Sequence, residues 1–147
     1  MGMAFGARSL FVVNDADRTL SVVDGTTGAV SGAPIALGDA AGGVGVADGT
    51  IYVGTTGDVT PIDEASLVVG DPIPLKGGSL FLADTDGIWV AFPLANELRW
   101  FDLKGQESRG GAVSGVGKGV GDLDLHDGRL WLSNTADGTV VQVRPRA

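Results

Sequence analysis

The sequence predicts an all-β fold: a β-propeller or partial propeller of about four blades of four antiparallel strands, the last blade lacking its outer strand. Three observations predict it. A unit of roughly 40 residues recurs four times along the chain. Each unit is a series of short apolar runs, and none has the i, i+3, i+4 spacing of a helix. The 147 residues include 25 glycines, more than twice the average share of ~7%, which without a collagen period or a proline excess means many tight turns.

The most regular run places an aliphatic residue, an aromatic and an aliphatic in a row. It occurs as Leu10-Phe11-Val12, Ile51-Tyr52-Val53, Ile88-Trp89-Val90 and Leu130-Trp131-Leu132, so the anchors Leu10, Ile51, Ile88 and Leu130 stand 41, 37 and 42 residues apart. We call this strand B. A shorter strand A precedes it each time, at 3–6, 44–47, 80–83 and 123–126. A strand C follows at 20–24, 59–63, 98–102 and 140–144, and Asp24, Asp63 and Asp102 lie 39 residues apart in it. Strand D appears three times, as Pro34-Ile35-Ala36-Leu37, Pro72-Ile73-Pro74-Leu75 and Ala112-Val113-Ser114-Gly115. The blades therefore span approximately 3–38, 42–76, 78–117 and 120–147, as one array.

Turn chemistry agrees with strand period. Asp48-Gly49, Asp86-Gly87 and Asp127-Gly128 fall between A and B. Asp-Gly between apolar runs predicts a type I′ hairpin, which needs positive φ at both central residues. In the first blade Ala7-Arg8 takes that place. Asp24-Gly25 and Asp137-Gly138 mark further turns. Pro34, Pro72 and Pro74 fit an outer strand, because proline has no N–H for a ladder. Pro61 lies in the second strand C and predicts a bulge or an irregular blade there. Phe11, Tyr52, Trp89 and Trp131 share one register and are expected to form the core between blades.

The run Val12-Val13-Asn14-Asp15-Ala16-Asp17-Arg18-Thr19-Leu20-Ser21-Val22-Val23-Asp24-Gly25-Thr26-Thr27-Gly28 resembles the YVTN/NHL group of propeller repeats, as do Ile51-Tyr52-Val53 and Ile88-Trp89-Val90. The chain is also similar to the extracytoplasmic propellers of actinobacterial serine/threonine kinases and, in architecture, to the streptogramin B lyases. The resemblance covers nearly the whole chain. It implies the fold strongly and a function weakly, because propellers host unrelated activities. Such proteins have six to eight blades, and this chain has under four complete ones. No local motif here matches the catalytic residues of the lyases, so none is carried over.

Composition narrows the partners. The net charge is −8 and the pI is about 4.3, a surface that repels phosphate backbones and anionic lipid, so neither nucleic acid nor membrane is an expected partner. There are no cysteines, which excludes disulfides and thiolate chemistry and leaves the compartment open. No apolar stretch approaches the ~20 residues of a membrane span. The first residues lack a signal-peptide pattern. The expected location is the cytoplasm for the chain as it stands, or outside it for a segment of a longer secreted or anchored protein.

Candidate sites are few. The fourth strand A carries Asp122, Asp124 and His126 on one face and Leu123 and Leu125 on the other. Strand A lines the channel of a propeller, so this set reads as a cation or ligand site in the channel, or as a solvent-facing strand. The second reading is favoured, because one strand supplies too few ligands. The other A strands add only Gly45, Ala47 and Leu82. His126, the single histidine, lacks a nucleophile and an orienting group that the sequence can place beside it. The loops Asn14-Asp15-Ala16-Asp17 and Asn134-Thr135-Ala136-Asp137-Gly138 lack the bidentate glutamate of a calcium loop and read as turns. Trp100, next to Phe101 on strand C, is a candidate for ligand stacking or for an interface. Phe92 and Leu94, in an apolar B–C loop, are candidates for contact with a partner. Gly117-Lys118-Gly119, with glycines at 110, 111, 115 and 121, does not open a helix, so phosphate cradling is rejected. No catalytic residue, metal or cofactor is expected.

A linear stack of under four blades exposes two apolar blade faces, which a ring would cover. Either the four blades close by themselves, or two copies pair into a ring of about eight. The expectation is a homodimer acting as a binding or scaffold module, with a small ligand or peptide at the channel mouth as its guest. The alternatives are a lyase- or hydrolase-like enzyme and an extracytoplasmic ligand sensor.

Overall fold

The expected runs form strands in the expected order. The computed structural model describes residues 2–39, 41–55, 57–75, 78, 80–107, 112–117 and 119–144. The first sheet contains β1 (Met3–Phe5), β2 (Ser9–Asn14), β3 (Thr19–Asp24) and β4 (Ile35–Ala36); the second contains β5 (Ala41–Ala47), β6 (Thr50–Thr55), β7 (Asp58–Asp63) and β8 (Ile73–Pro74). The third contains β9 (Leu80–Asp84), β10 (Gly87–Phe92), β11 (Glu97–Asp102) and β12 (Val113–Ser114). The fourth has three strands, β13 (Val120–His126), β14 (Arg129–Asn134) and β15 (Thr139–Val143). Strands within each sheet are ordered as in the chain, and the pairings are antiparallel. This is an all-β propeller array of four blades, with three strands in the last.

The chain divides into two compact units, one of Met1–Lys76 with Ala83–Thr85, the other of Gly77–Leu82 with Asp86–Ala147. In the first, one face of sheet 1 (Phe11, Val13, Leu20, Val22, Leu37) packs on one face of sheet 2 (Ile51, Val53, Ile62). In the second, Trp89, Ala91 and Leu98 of sheet 3 pack with Leu123, Leu130 and Leu132 of sheet 4. One rule covers both: the face carrying the strand B aromatic meets the aliphatic face of the next sheet. Strand alternation produces it, because a triplet such as Leu10-Phe11-Val12 sends its aromatic one way and its aliphatics the other. A fully buried leucine such as Leu98 or Leu130 contributes ~1.5–3 kcal/mol relative to exposure.

Several turns keep the predicted chemistry. Asp48 and Gly49 have φ of 46° and 71°, and Asp127 and Gly128 have 50° and 66°, as a type I′ hairpin requires. The turn of the third blade differs: Thr85 and Asp86 occupy it, neither is left-handed, and Gly87 already belongs to β10. The Asp84 carboxylate accepts from the Thr85 N–H at 2.7 Å, a local bond that stabilises this alternative. At 87 a Cβ would overlap the Trp100 ring, so the glycine there serves packing and not turn geometry.

The aspartates 39 residues apart cap the turns after strand C. Asp24 Oδ1 accepts from the N–H groups of Thr26 and Thr27 at 3.0 and 2.7 Å. Asp63 accepts from the Ser66 N–H at 2.7 Å. Asp102 accepts from the N–H groups of Lys104 and Gln106 at 2.9 and 2.8 Å.

Pro61 causes no bulge. The β6–β7 register runs unbroken through Tyr52 opposite Pro61. The register shifts lie instead in two A strands, between Ala41 and Gly43 and between Val120 and Asp122. Each skips a glycine, the residue that most easily bends a strand.

Candidate functional site

Alternation along β13 places Leu123 and Leu125 on the packed side and Asp122, Asp124 and His126 on the exposed side. Opposite these three stand Ser133, Trp131 and Arg129 on β14, and Gln142 lies opposite Trp131 on β15. One face of the fourth sheet thus carries Asp122, Asp124, His126, Arg129, Trp131, Val140 and Gln142. His126, Asp127, Arg129, Trp131 and Gln142 line an open depression on it. The Arg129 guanidinium donates to Gln142 Oε1 at 3.2 Å, and His126 Nε2 lies 3.6 Å from the Asp127 carboxylate. Both members of that pair are well exposed, so the attraction is screened and weak.

These groups do not converge on a point. Among the described residues no three histidine, cysteine or carboxylate groups could hold a metal ion. Asp122 Oδ1 turns back to accept from the Leu123 N–H at 2.9 Å. The chemistry on offer is that of a surface: an indole flanked by a guanidinium, an imidazole and an amide.

Trp131 is the residue that sequence reasoning misplaced. Phe11, Tyr52 and Trp89 are 1%, 4% and 5% exposed, as core residues should be, but Trp131 is 40% exposed. Its register is the same; what differs is its company, for Asp124 and Gln142 stand opposite it on the neighbouring strands. On the first sheet Met3 and Phe5 are each 71% exposed.

The other candidates are dispersed. Trp100 is half-buried against the core of the second unit and pairs with Trp89 across the ladder, so its ring is a packing group. Phe92 is the last residue of β10 and not a loop residue; it is buried, 6.1 Å from the Phe101 ring, with the Arg99 guanidinium 4.6 Å above it. Glu97 holds that guanidinium at 2.7 Å, and this bond raises the Arg99 pKa. Leu94 is fully exposed at the tip of the same hairpin. Gly110, Gly111 and Lys118 lie outside the described residues.

The two Asn/Asp loops hold themselves together. Asn14 Nδ2 donates to the Thr19 and Ser21 hydroxyls at 3.1 and 2.8 Å. Asn134, buried, donates to the Val116 carbonyl at 3.0 Å. Asn14 thus bridges its B–C hairpin, while Asn134 bridges its own through the Thr139 hydroxyl at 3.3 Å and also ties it to the segment before β13, a structural use of the asparagine amide.

No protein-family model matches the chain, and no curated protein matches it. Solved structures do. The computationally designed Ika4 protein aligns over 99% of this chain and 90% of its own, with a TM-score of 0.65 at 17% identity. The WD40 repeats of RRP9 align over 96% of this chain and 44% of theirs, with a TM-score of 0.75 at 12% identity. The computationally designed Ika8 protein aligns over 97% and 45%, with a TM-score of 0.67 at 16% identity. The chain therefore spans most of Ika4 and about half the length of the other two. At identities this low the likeness shows the propeller fold.

Proposed function

We propose that this chain is a non-enzymatic propeller scaffold that completes its ring by pairing with a second copy. Its repeat is of the YVTN/NHL kind, a reading supported by the aromatic-bearing strand B, the Asn/Asp loop and the Asp-capped turn after strand C. One observation carries the assembly: both terminal blade faces expose large apolar side chains, Met3 and Phe5 on the first sheet, Trp131 and Val140 among polar neighbours on the last. They are of the two kinds that meet inside each unit, aromatic on aliphatic. A two-fold axis pairing two copies would join each open face to its complement twice, covering both without a capping segment.

The test is solution mass by light scattering. The chain weighs 14.9 kDa, and the expected particle is twice that. Phe5→Asp and Trp131→Asp should each return the particle to a monomer while leaving the strand content unchanged, since both residues are exposed in the single chain. A wild-type monomer over the full concentration range overturns the proposal and leaves a ring closed by one chain, or an open array.

A further inference from the structure

We infer that a second copy is recognised by charge as well as by apolar contact: the Arg8 guanidinium of each copy meets the Asp127 carboxylate of the other, at the A–B turns. The inference rests on the pairing proposed above and names the contact that selects the partner. Three alternate positions along strand A lie on the side of the strand B aromatic. In the first sheet they hold Gly2, Ala4 and Gly6, and in the second Gly43, Gly45 and Ala47. Small residues are required there because sheets 1 and 2 approach closely. A Cβ at Gly2 would stand 3.1 Å from the Gly43 Cα, and one at Gly6 would overlap the Glu64 carboxylate. In the fourth sheet the same positions hold Asp122, Asp124 and His126. A neighbour cannot lie as close against these, and each needs a polar partner or water once covered.

The turns show which group meets them. Where sheet 1 packs on sheet 2, the Ala7 N–H of the first A–B turn donates to Glu64 Oε1 at 2.6 Å. The Glu64 N–H in turn donates to the Gly49 carbonyl of the second A–B turn at 2.9 Å. In the fourth blade Asp127 holds the place of Ala7. In the first blade Gly25 holds the place of Glu64 and Arg8 that of Gly49, and the same bond recurs, from the Gly25 N–H to the Arg8 carbonyl at 2.9 Å. Setting the fourth sheet of one copy on the first sheet of another, as sheet 1 sits on sheet 2, therefore brings Arg8 to Asp127. Both side chains are exposed in the single chain. The charges fit this joint alone: of the A–B turns Ala7-Arg8, Asp48-Gly49, Thr85-Asp86 and Asp127-Gly128, only the first is basic. A two-fold axis makes the contact twice.

The test is the dimer Kd, measured by sedimentation equilibrium for the wild type, Arg8→Gln, Asp127→Asn and the double variant. Asparagine tolerates the left-handed backbone at 127, where φ is 50°. Each single variant removes both copies of the contact and should raise Kd about tenfold. The double variant should lie no higher than the weaker single, because the two changes remove the same pair. Raising sodium chloride from ~0.05 M to ~1 M should weaken the wild type by a similar factor and leave the double variant unmoved. Single variants with an unchanged Kd, or losses that multiply in the double variant, overturn the inference and leave the pairing itself standing. A wild type that stays monomeric at every concentration overturns both.

Discussion

Strands β10 and β14 are the same element of the repeat in two surroundings. All six residues of β10 are buried, while β14 alternates, with Leu130, Leu132 and Asn134 buried and Trp131 open. Local sequence does not explain this, for both strands carry an aliphatic–tryptophan–aliphatic triplet. The neighbour explains it: a blade's aromatic face becomes core only when another sheet lies against it. In a repeat array, burial is a property of position in the stack as much as of residue type.

The sharpest way to break this comparison is to truncate both tryptophans. Trp89→Ala should cost ~3–5 kcal/mol, the usual range for an aromatic removed from a packed core. Trp131→Ala should cost ~1 kcal/mol or less in the monomer, as a partly exposed residue does. Urea unfolding of the two variants at low protein concentration checks the difference. Equal costs would mean that Trp131 is covered in solution; repeating the measurement across protein concentration then shows whether a second copy covers it.

A smaller contrast lies within one loop. Gly115 and Gly117 both have positive φ, 74° and 104°. An alanine at 115 would meet nothing within 4 Å, whereas at 117 its Cβ would overlap the Asn134 amide. Gly115→Ala should therefore cost only the left-handed backbone penalty, ~1–2 kcal/mol. Gly117→Ala should cost ~3 kcal/mol or more, because it also displaces a buried amide from its bond to Val116. Thermal unfolding distinguishes them, and a milder effect at 117 would mean that the Asn134 side chain has room to move.

How far the sequence was legible follows the same division between local and neighbouring causes. Strand order and most strand ends were legible from the triplet and from Asp24, Asp63 and Asp102, because strand period and turn capping are set by residues a few positions apart. The turns at Asp48-Gly49 and Asp127-Gly128 were legible for that reason. The third turn fell one residue early, since the Asp84 carboxylate bonds Thr85 and the Trp100 ring claims the space over Gly87. Of the candidate site, the outward direction of Asp122, Asp124 and His126 was legible from alternation. Their neighbours Arg129, Trp131 and Gln142 were not, because cross-strand register decides which side chains share that face.

The smallest expected effect separates the capped turns from the stacked core. Hydrogen bonds hold the Asp24 and Asp63 carboxyls below the usual carboxylate range: for Asp24 chiefly the Thr27 N–H and hydroxyl, for Asp63 chiefly the Ser66 hydroxyl and N–H. The folded chain thus holds these protons less readily than the unfolded chain. Their contribution to stability is complete above the unfolded carboxylate value of ~4 and is lost as pH falls through the lower folded values. Both groups are exposed, so the effect should be modest. Unfolding measured from pH 6 down to pH 2 should show a shallower acid loss in the Asp24→Asn, Asp63→Asn double variant than in the wild type, and the two curves should converge at the acid end. Parallel curves would place the acid sensitivity elsewhere among the carboxylates. Trp89→Ala should instead lower the whole curve evenly, since burial of an indole does not titrate.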